Sequence, residues 1–502
     1  MARRLLTAAA LALYLLLAWT PVAALLVSPL IQTAKGAGML AWLSPGGRRW
    51  GILFESLGYA AVVALLATAV GSAAALYCWR RRGGLADTCR LAALLSAVIP
   101  PYLHALAWMP LLAALPQHGS GVLTGWISSV WVQSLAMLPF CFAIAAVALE
   151  GLDAKGIEAA RVFAGDVRLV VRVILPLLRP ALLASAALAF LLTIADHAVP
   201  SLFSRSTYAM EIFEEFSATQ DSARTLMIAL PLVAVSLLAL LPLGWFWRAA
   251  SQRPPARAHL SPLLALPPLR AAAAIVLLPL LALMASMGRE LLHPAAWEQP
   301  LAGAAGDLLT SAAVSVSSAI VAMALSLGLA RALARHQAAL WWLAAIPLAM
   351  PPALVGVGLI WIWNRRLPVD LYGGFAMLPL AALARFAPLA LLVAAAWRSR
   401  LDNSLLEAAQ LFGGECRALL KVEIPLMSPG LLAAAAMVFA LTLGELGASL
   451  LVAPPGTETL AMRIYNYLHY GASGSVAVLA LCMMAANAAV TLAVVQWWKA
   501  KR

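Results

Sequence analysis

The chain is 502 residues long, 64% hydrophobic and only 11% charged, with a mean hydropathy of +0.91. So little polar surface cannot clothe a water-exposed body of this size, which excludes a soluble enzyme, and the hydrophobicity excludes a disordered chain. A net charge of +13 would suggest nucleic acid in a soluble protein; here the basic residues sit in short stretches between apolar runs, the pattern that orients membrane proteins, so no nucleic-acid partner is expected.

Apolar stretches of about 20 residues predict about twelve transmembrane helices, near 5–28, 57–78, 91–115, 126–149, 180–203, 225–247, 268–288, 308–330, 340–362, 380–397, 430–453 and 475–498. The first opens behind Arg3 and Arg4 like a signal peptide. Its apolar run of roughly 24 residues exceeds the about 7–15 of a signal core, so it reads as a retained span. With the N-terminus inside, about 24 of the 34 Lys and Arg fall on the cytoplasmic side and about 9 outside, which places both termini in the cytoplasm. The five cysteines show no CxxC spacing, so neither a disulfide framework nor a metal site is expected.

The chain repeats itself. Glu158-Ala159-Ala160 is followed by Gly165, Pro176 and Pro180, and Glu407-Ala408-Ala409 by Gly414, Pro425 and Pro429, at offsets of 7, 18 and 22 in both copies, 249 residues apart. Pro100-Pro101 answers Pro351-Pro352, Pro139 answers Pro388, and Asp196 answers Glu445. The fold expected is an all-α polytopic membrane protein of two parallel 6-helix repeats, 1–250 and 268–502, because six spans per half give both halves one orientation. The Arg/Pro-rich stretch 251–267 reads as a cytoplasmic linker.

Segments 150–180 and 398–429, cytoplasmic by the charge tally, are the most informative. After Glu158 an alanine-rich helix carries an apolar stripe of Ala159, Val162 and Phe163; Leu406, Ala409, Leu411 and Phe412 offer a comparable surface in the second copy. Gly165 and Gly414 permit a tight turn. A second helical stretch follows, which Leu175-Pro176 and Ile424-Pro425 are expected to end before the chain re-enters the membrane at Pro180 or Pro429. Such a protrusion is either a solvated loop or a docking surface, and two copies at identical spacing favour docking. Nothing in it performs chemistry. The chain also lacks GxxxxGK[ST], HExxH and GxSxG, so it has no phosphate-cradling loop and no recognisable hydrolase centre.

At these residues the sequence resembles the permease subunits of ATP-binding-cassette importers, whose signature is EAA, a glycine seven residues on, then a leucine- or isoleucine-proline pair. EAARVFAGDVRLVVRVILPLLRP and EAAQLFGGECRALLKVEIPLMSP both fit. IPPYLHALAW (99–108), ARFAPLALL (384–392) and GELGASLLVAPP (444–455) extend the resemblance over nearly the whole chain, toward the fused, two-in-one permeases of the ferric-iron type. The resemblance implies a fold like that of type I importers in the cell inner membrane. It implies two copies of a cytoplasmic ATPase, carrying the ATP and Mg, and an extracytoplasmic substrate-binding protein. Glu158, Ala159, Ala160, Glu407, Ala408 and Ala409 would meet the ATPase, with Gly165 and Gly414 at the bends and Pro176 and Pro425 behind them. The second copy departs by carrying Glu423 where the first has Ile174. Ferric iron is the cargo the resemblance favours, with thiamine, phosphonate and polyamine as alternatives. The rival class is a secondary transporter driven by an ion gradient, against which the scarcity of charged residues within the spans counts.

Asp196 and Glu445 stand about 16 residues beyond Pro180 and Pro429, toward the outer half of their spans. Each either lines a translocation route or sits hydrated at the outer interface. His197 is either part of that route or a boundary residue, and Arg385 either attracts an anionic cargo or snorkels to the interface.

Overall fold

The computed structural model describes residues 2–34, 46–114, 125–251, 266–291, 295–334, 338–365, 371–469 and 473–500; the linker expected at 251–267 lies, apart from its ends, outside them. Among the described residues every regular element is helical, and nine helices are long and apolar enough to cross a membrane. Three sharply bent pairs raise the number to as many as twelve.

Those bends correct the straight spans expected at 5–28, 91–115 and 340–362. Leu5–Ala18 and Thr20–Ser28 meet at 56°, Gly84–Ser96 and Pro101–Ala113 at 112°, and Ala339–Ala349 and Pro352–Trp363 at 98°. The two largest bends fall at the proline doublets. A residue before proline is driven out of the helical region, so Pro100 and Pro351 are extended (ψ 144° and 153°). Pro101 and Pro352 then begin new helices, where a missing N–H costs nothing. Elsewhere hydropathy underestimates length. Gly47–Cys78 has 32 residues, about 48 Å against a bilayer core of roughly 30 Å, because Arg48, Arg49 and Glu55 lower the hydropathy without breaking the helix.

The chain forms two compact units, neither contiguous in sequence. In the unit made of Gly47–Met210 and Val235–Arg289, Gly47–Cys78 packs against Trp126–Glu150, Leu175–Ile194 and Pro267–Ile275. At Gly71 the helices approach closely: a Cβ there would lie 2.8 Å from the Cβ of Cys141, so only glycine fits. Ser56 Oγ accepts from the Tyr208 backbone N–H at 2.9 Å.

The other unit consists of Met1–Gly46, Glu211–Ala234 and Glu290–Arg502. Ala295–Ala334 packs against Met377–Arg398 and Ile424–Leu443. The opening helix Ala2–Ala18 lies along this group: Tyr14 Oη donates to the Ala344 carbonyl at 2.7 Å and Trp19 Nε1 to that of Leu343 at 2.8 Å. Ser311 Oγ accepts from the Leu460 N–H at 2.7 Å, the counterpart of the Ser56 contact. Each unit thus contains the core of one sequence repeat and the opening span of the other: 2–34 packs with the core of the second repeat, and 267–288 with that of the first. The compact units therefore do not coincide with the contiguous halves 1–250 and 268–502.

Candidate functional site

Both EAA segments fold as the same device. In the first, Trp126–Glu150 stops at Gly151, and Asp153 restarts a helix by accepting from the N–H groups of Lys155 and Gly156 at 3.1 and 3.3 Å. Ala154–Phe163 follows; the chain turns extended at Ala164 (φ −141°, ψ 134°) and Gly165 (φ −63°, ψ 160°), then continues as Asp166–Leu169, a π turn at Val170–Ile174, and Leu175–Ile194. In the second, Asp402 is the cap, accepting from the Ser404 N–H at 2.9 Å and its hydroxyl at 2.8 Å; these bonds hold the Asp402 carboxyl below the usual carboxylate range. The helical run Asn403–Ala418 is bent at Gly414, and a π turn at Leu419–Glu423 leads into Ile424–Leu443. Asp153 and Asp402, missed from the sequence, were signalled by their shared place five residues before each glutamate.

The bends are unlike in backbone. Gly414 adopts φ 74°, ψ 165°, which a side chain resists, whereas the Gly165 conformation is open to any residue, with nothing within 4 Å of where a Cβ would stand. Contrary to the sequence expectation, Pro176 and Pro425 do not end the second arm. The chain stays helical from Asp166 to Ile194 and from the Gly414 bend to Leu443. The π turn shifts the hydrogen-bond ladder just before each proline, so the absent N–H is accommodated and the arm runs straight into the membrane helix.

Glu158 and Glu407 are exposed on the first arm, as is Ala159, while Ala160, Ala408 and Ala409 are half-buried. The apolar tips stand out most: Val162 and Phe163 are 80% and 89% exposed, and Leu411 and Phe412 85% and 93%. Leu406, expected to share that surface, is instead buried like its counterpart Ile157, so one residue of each arm grips the body while the apolar pair faces away. In the first elbow Arg161 reaches across the bend to Asp166, with Nε and Nη2 3.0 and 3.2 Å from its carboxylate oxygens.

Asp196 and Glu445 lie at the opposite ends of the membrane helices, about 43 Å of helix rise from the elbow bends. They are not inside their spans. The helices end at Ile194 and Leu443, and each carboxylate sits in the break that follows, accepting from the N–H of the next helical turn: Asp196 Oδ1 from Ala198 at 2.9 Å, Glu445 Oε1 from Ala448 at 2.8 Å. Glu445 also pairs with Arg385, so that arginine turns inward rather than snorkelling, and His197 is buried. Among the described residues no group of three or more His, Cys, Asp or Glu is gathered as a metal ion would require.

No family model matches the chain. Over 199 residues, 39% of its length, it is 25% identical to the "Putative 2-aminoethylphosphonate transport system permease protein PhnV" of Salmonella typhimurium, of which that match covers 72%. The proteins of that name in Salmonella choleraesuis and Salmonella paratyphi A match with the same identity and coverage. The chain is therefore similar, over part of its length, to a transport permease.

Proposed function

We propose that this chain is the membrane-spanning permease subunit of a binding-protein-dependent, ATP-driven importer of the ATP-binding-cassette class, set in the inner membrane with both termini and both elbows on the cytoplasmic side. The observation that carries this reading is the duplicated elbow: a capped helix with an exposed glutamate and an exposed apolar pair, bent, then running unbroken into a membrane helix. A surface of that kind is costly in water unless a partner covers it. Two copies of a cytoplasmic ATPase, holding the ATP and Mg, grip the two elbows; their closure rocks the membrane helices between outward- and inward-open states. A substrate-binding protein delivers cargo at the other face.

For the cargo, the permease similarity supports the phosphonate alternative above ferric iron, thiamine or polyamine. In this reading Asp196 and His197 are pathway residues of one repeat, and Arg385 with Glu445 are pathway residues of the other. An anionic cargo would meet the Arg385 guanidinium by competing with Glu445.

The test is uptake into proteoliposomes that hold the chain with a partner ATPase and binding protein. Uptake of 2-aminoethylphosphonate should require ATP and both partners, and should survive collapse of proton and sodium gradients. Uptake that follows an ion gradient without the ATPase would establish the secondary-transporter class instead. Calorimetry of the binding protein with 2-aminoethylphosphonate and with ferric iron decides the cargo.

A further inference from the structure

The two elbows are held by different forces. At the base of the second, Arg398, the last residue of Met377–Arg398, places Nε 3.3 Å from Glu423 Oε1 and Nη2 3.0 Å from Asn403 Oδ1. Arg331 lies 3.8 Å from the other Glu423 oxygen. Arg398 and Glu423 are both 3% exposed. The buried Arg398–Glu423 pair therefore ties the end of a membrane helix to the elbow's π turn, with the exposed Asn403, first residue of the elbow helix, and Arg331 of a second membrane helix beside it. The Arg398 cation suits its place at a helix C-terminus.

In the first elbow the residues 249 positions earlier are Leu149, Ala154 and Ile174, and Leu149 and Ile174 are fully buried in one apolar cluster. Its ion pairs sit elsewhere: between Arg161 and the buried Asp166 across the bend, and between Arg80 and the exposed Glu150, 3.5 Å apart, where the preceding membrane helix ends. The second elbow has Gln410 and Glu415 there, a combination that cannot form an ion pair, and takes its bend from Gly414.

A buried ion pair is on average no more stabilising than apolar side chains of like volume, but it is far more particular about geometry. From this we infer that Arg398 and Glu423 are positioning residues that lock the base of the second elbow to the membrane helices. The second elbow moves with its spans as a rigid lever; the first is rigid at its bend and seated on a base that can slide. The two ATPase contacts are therefore not interchangeable. This rests on the importer reading.

The test grafts the first base onto the second elbow, Arg398→Leu with Glu423→Ile, in the full chain assembled with its ATPase and binding protein. The graft should still bind the ATPase, while cargo moved per ATP hydrolysed falls about tenfold. An unchanged ratio would overturn the inference, since packing alone would then suffice. Should the graft fail to assemble, Arg398→Lys is read the same way: it keeps the charge but loses the fork that reaches both Glu423 and Asn403. A reduced ratio upholds the lever and an unchanged one refutes it. An unmodified chain that binds no ATPase would instead refute the importer reading itself.

Discussion

Truncating Phe412 to alanine separates docking from folding. Its side chain is 93% exposed, so the fold loses almost no buried area and the melting temperature should stay within about 2 °C of the unmodified chain. If the ATPase covers the ring, about 200 Å² of apolar surface leaves water, a ceiling of about 5 kcal/mol at 25 cal/mol per Å². Ordering costs bring aromatic anchors to about 2–4 kcal/mol, so affinity for the ATPase should fall about 30- to 1000-fold. The assay is titration of the purified ATPase against nanodiscs carrying each variant, with thermal unfolding in parallel. Leu406→Ala is the control of opposite sign: at 2% exposure it should lose about 2–5 kcal/mol of local stability and fray the elbow. Unaltered affinity for Phe412→Ala, or a loss matched by a lowered melting temperature, would refute the assignment of the apolar tip to docking.

Gly414→Ala should strain the second bend by about 1–3 kcal/mol and impair uptake, whereas Gly165→Ala, at φ −63° with open space around it, should be nearly neutral; paired uptake and limited-proteolysis measurements check the difference. Glu445→Ala removes the carboxylate that meets Arg385 and should cost about 3–5 kcal/mol, read as lost folded yield in detergent. Adding Arg385→Leu should restore the yield yet leave uptake of an anionic cargo impaired; normal uptake by that double variant would make the pair purely structural.

The twelve apolar stretches and the two elbows were legible because both are written in local residue order. Spans are a matter of length and hydropathy, and the duplication a matter of spacing. The proline doublets were visible as landmarks, but hydropathy sums composition over a window and is blind to direction, so 91–115 and 340–362 passed as straight. Likewise Gly165 and Gly414 hold equivalent places in the motif, and only their backbones show that the second alone needs glycine. Arg385 and Glu445 were each weighed alone because 60 residues separate them; their pairing required two helices side by side.

By itself, then, the amino-acid order determined an all-helical membrane protein, its repeat, and the residues at which each elbow bends. Tertiary structure decided which opening span packs with which core, which apolar residues of the elbow grip the body rather than face away, and which charges meet. An apolar helix can bury its surface against many others equally well. The choice among them comes from the close fit of particular surfaces, such as Gly358 against Pro21 and the Tyr14 hydroxyl on the Ala344 carbonyl, and from the need of every buried charge for a partner.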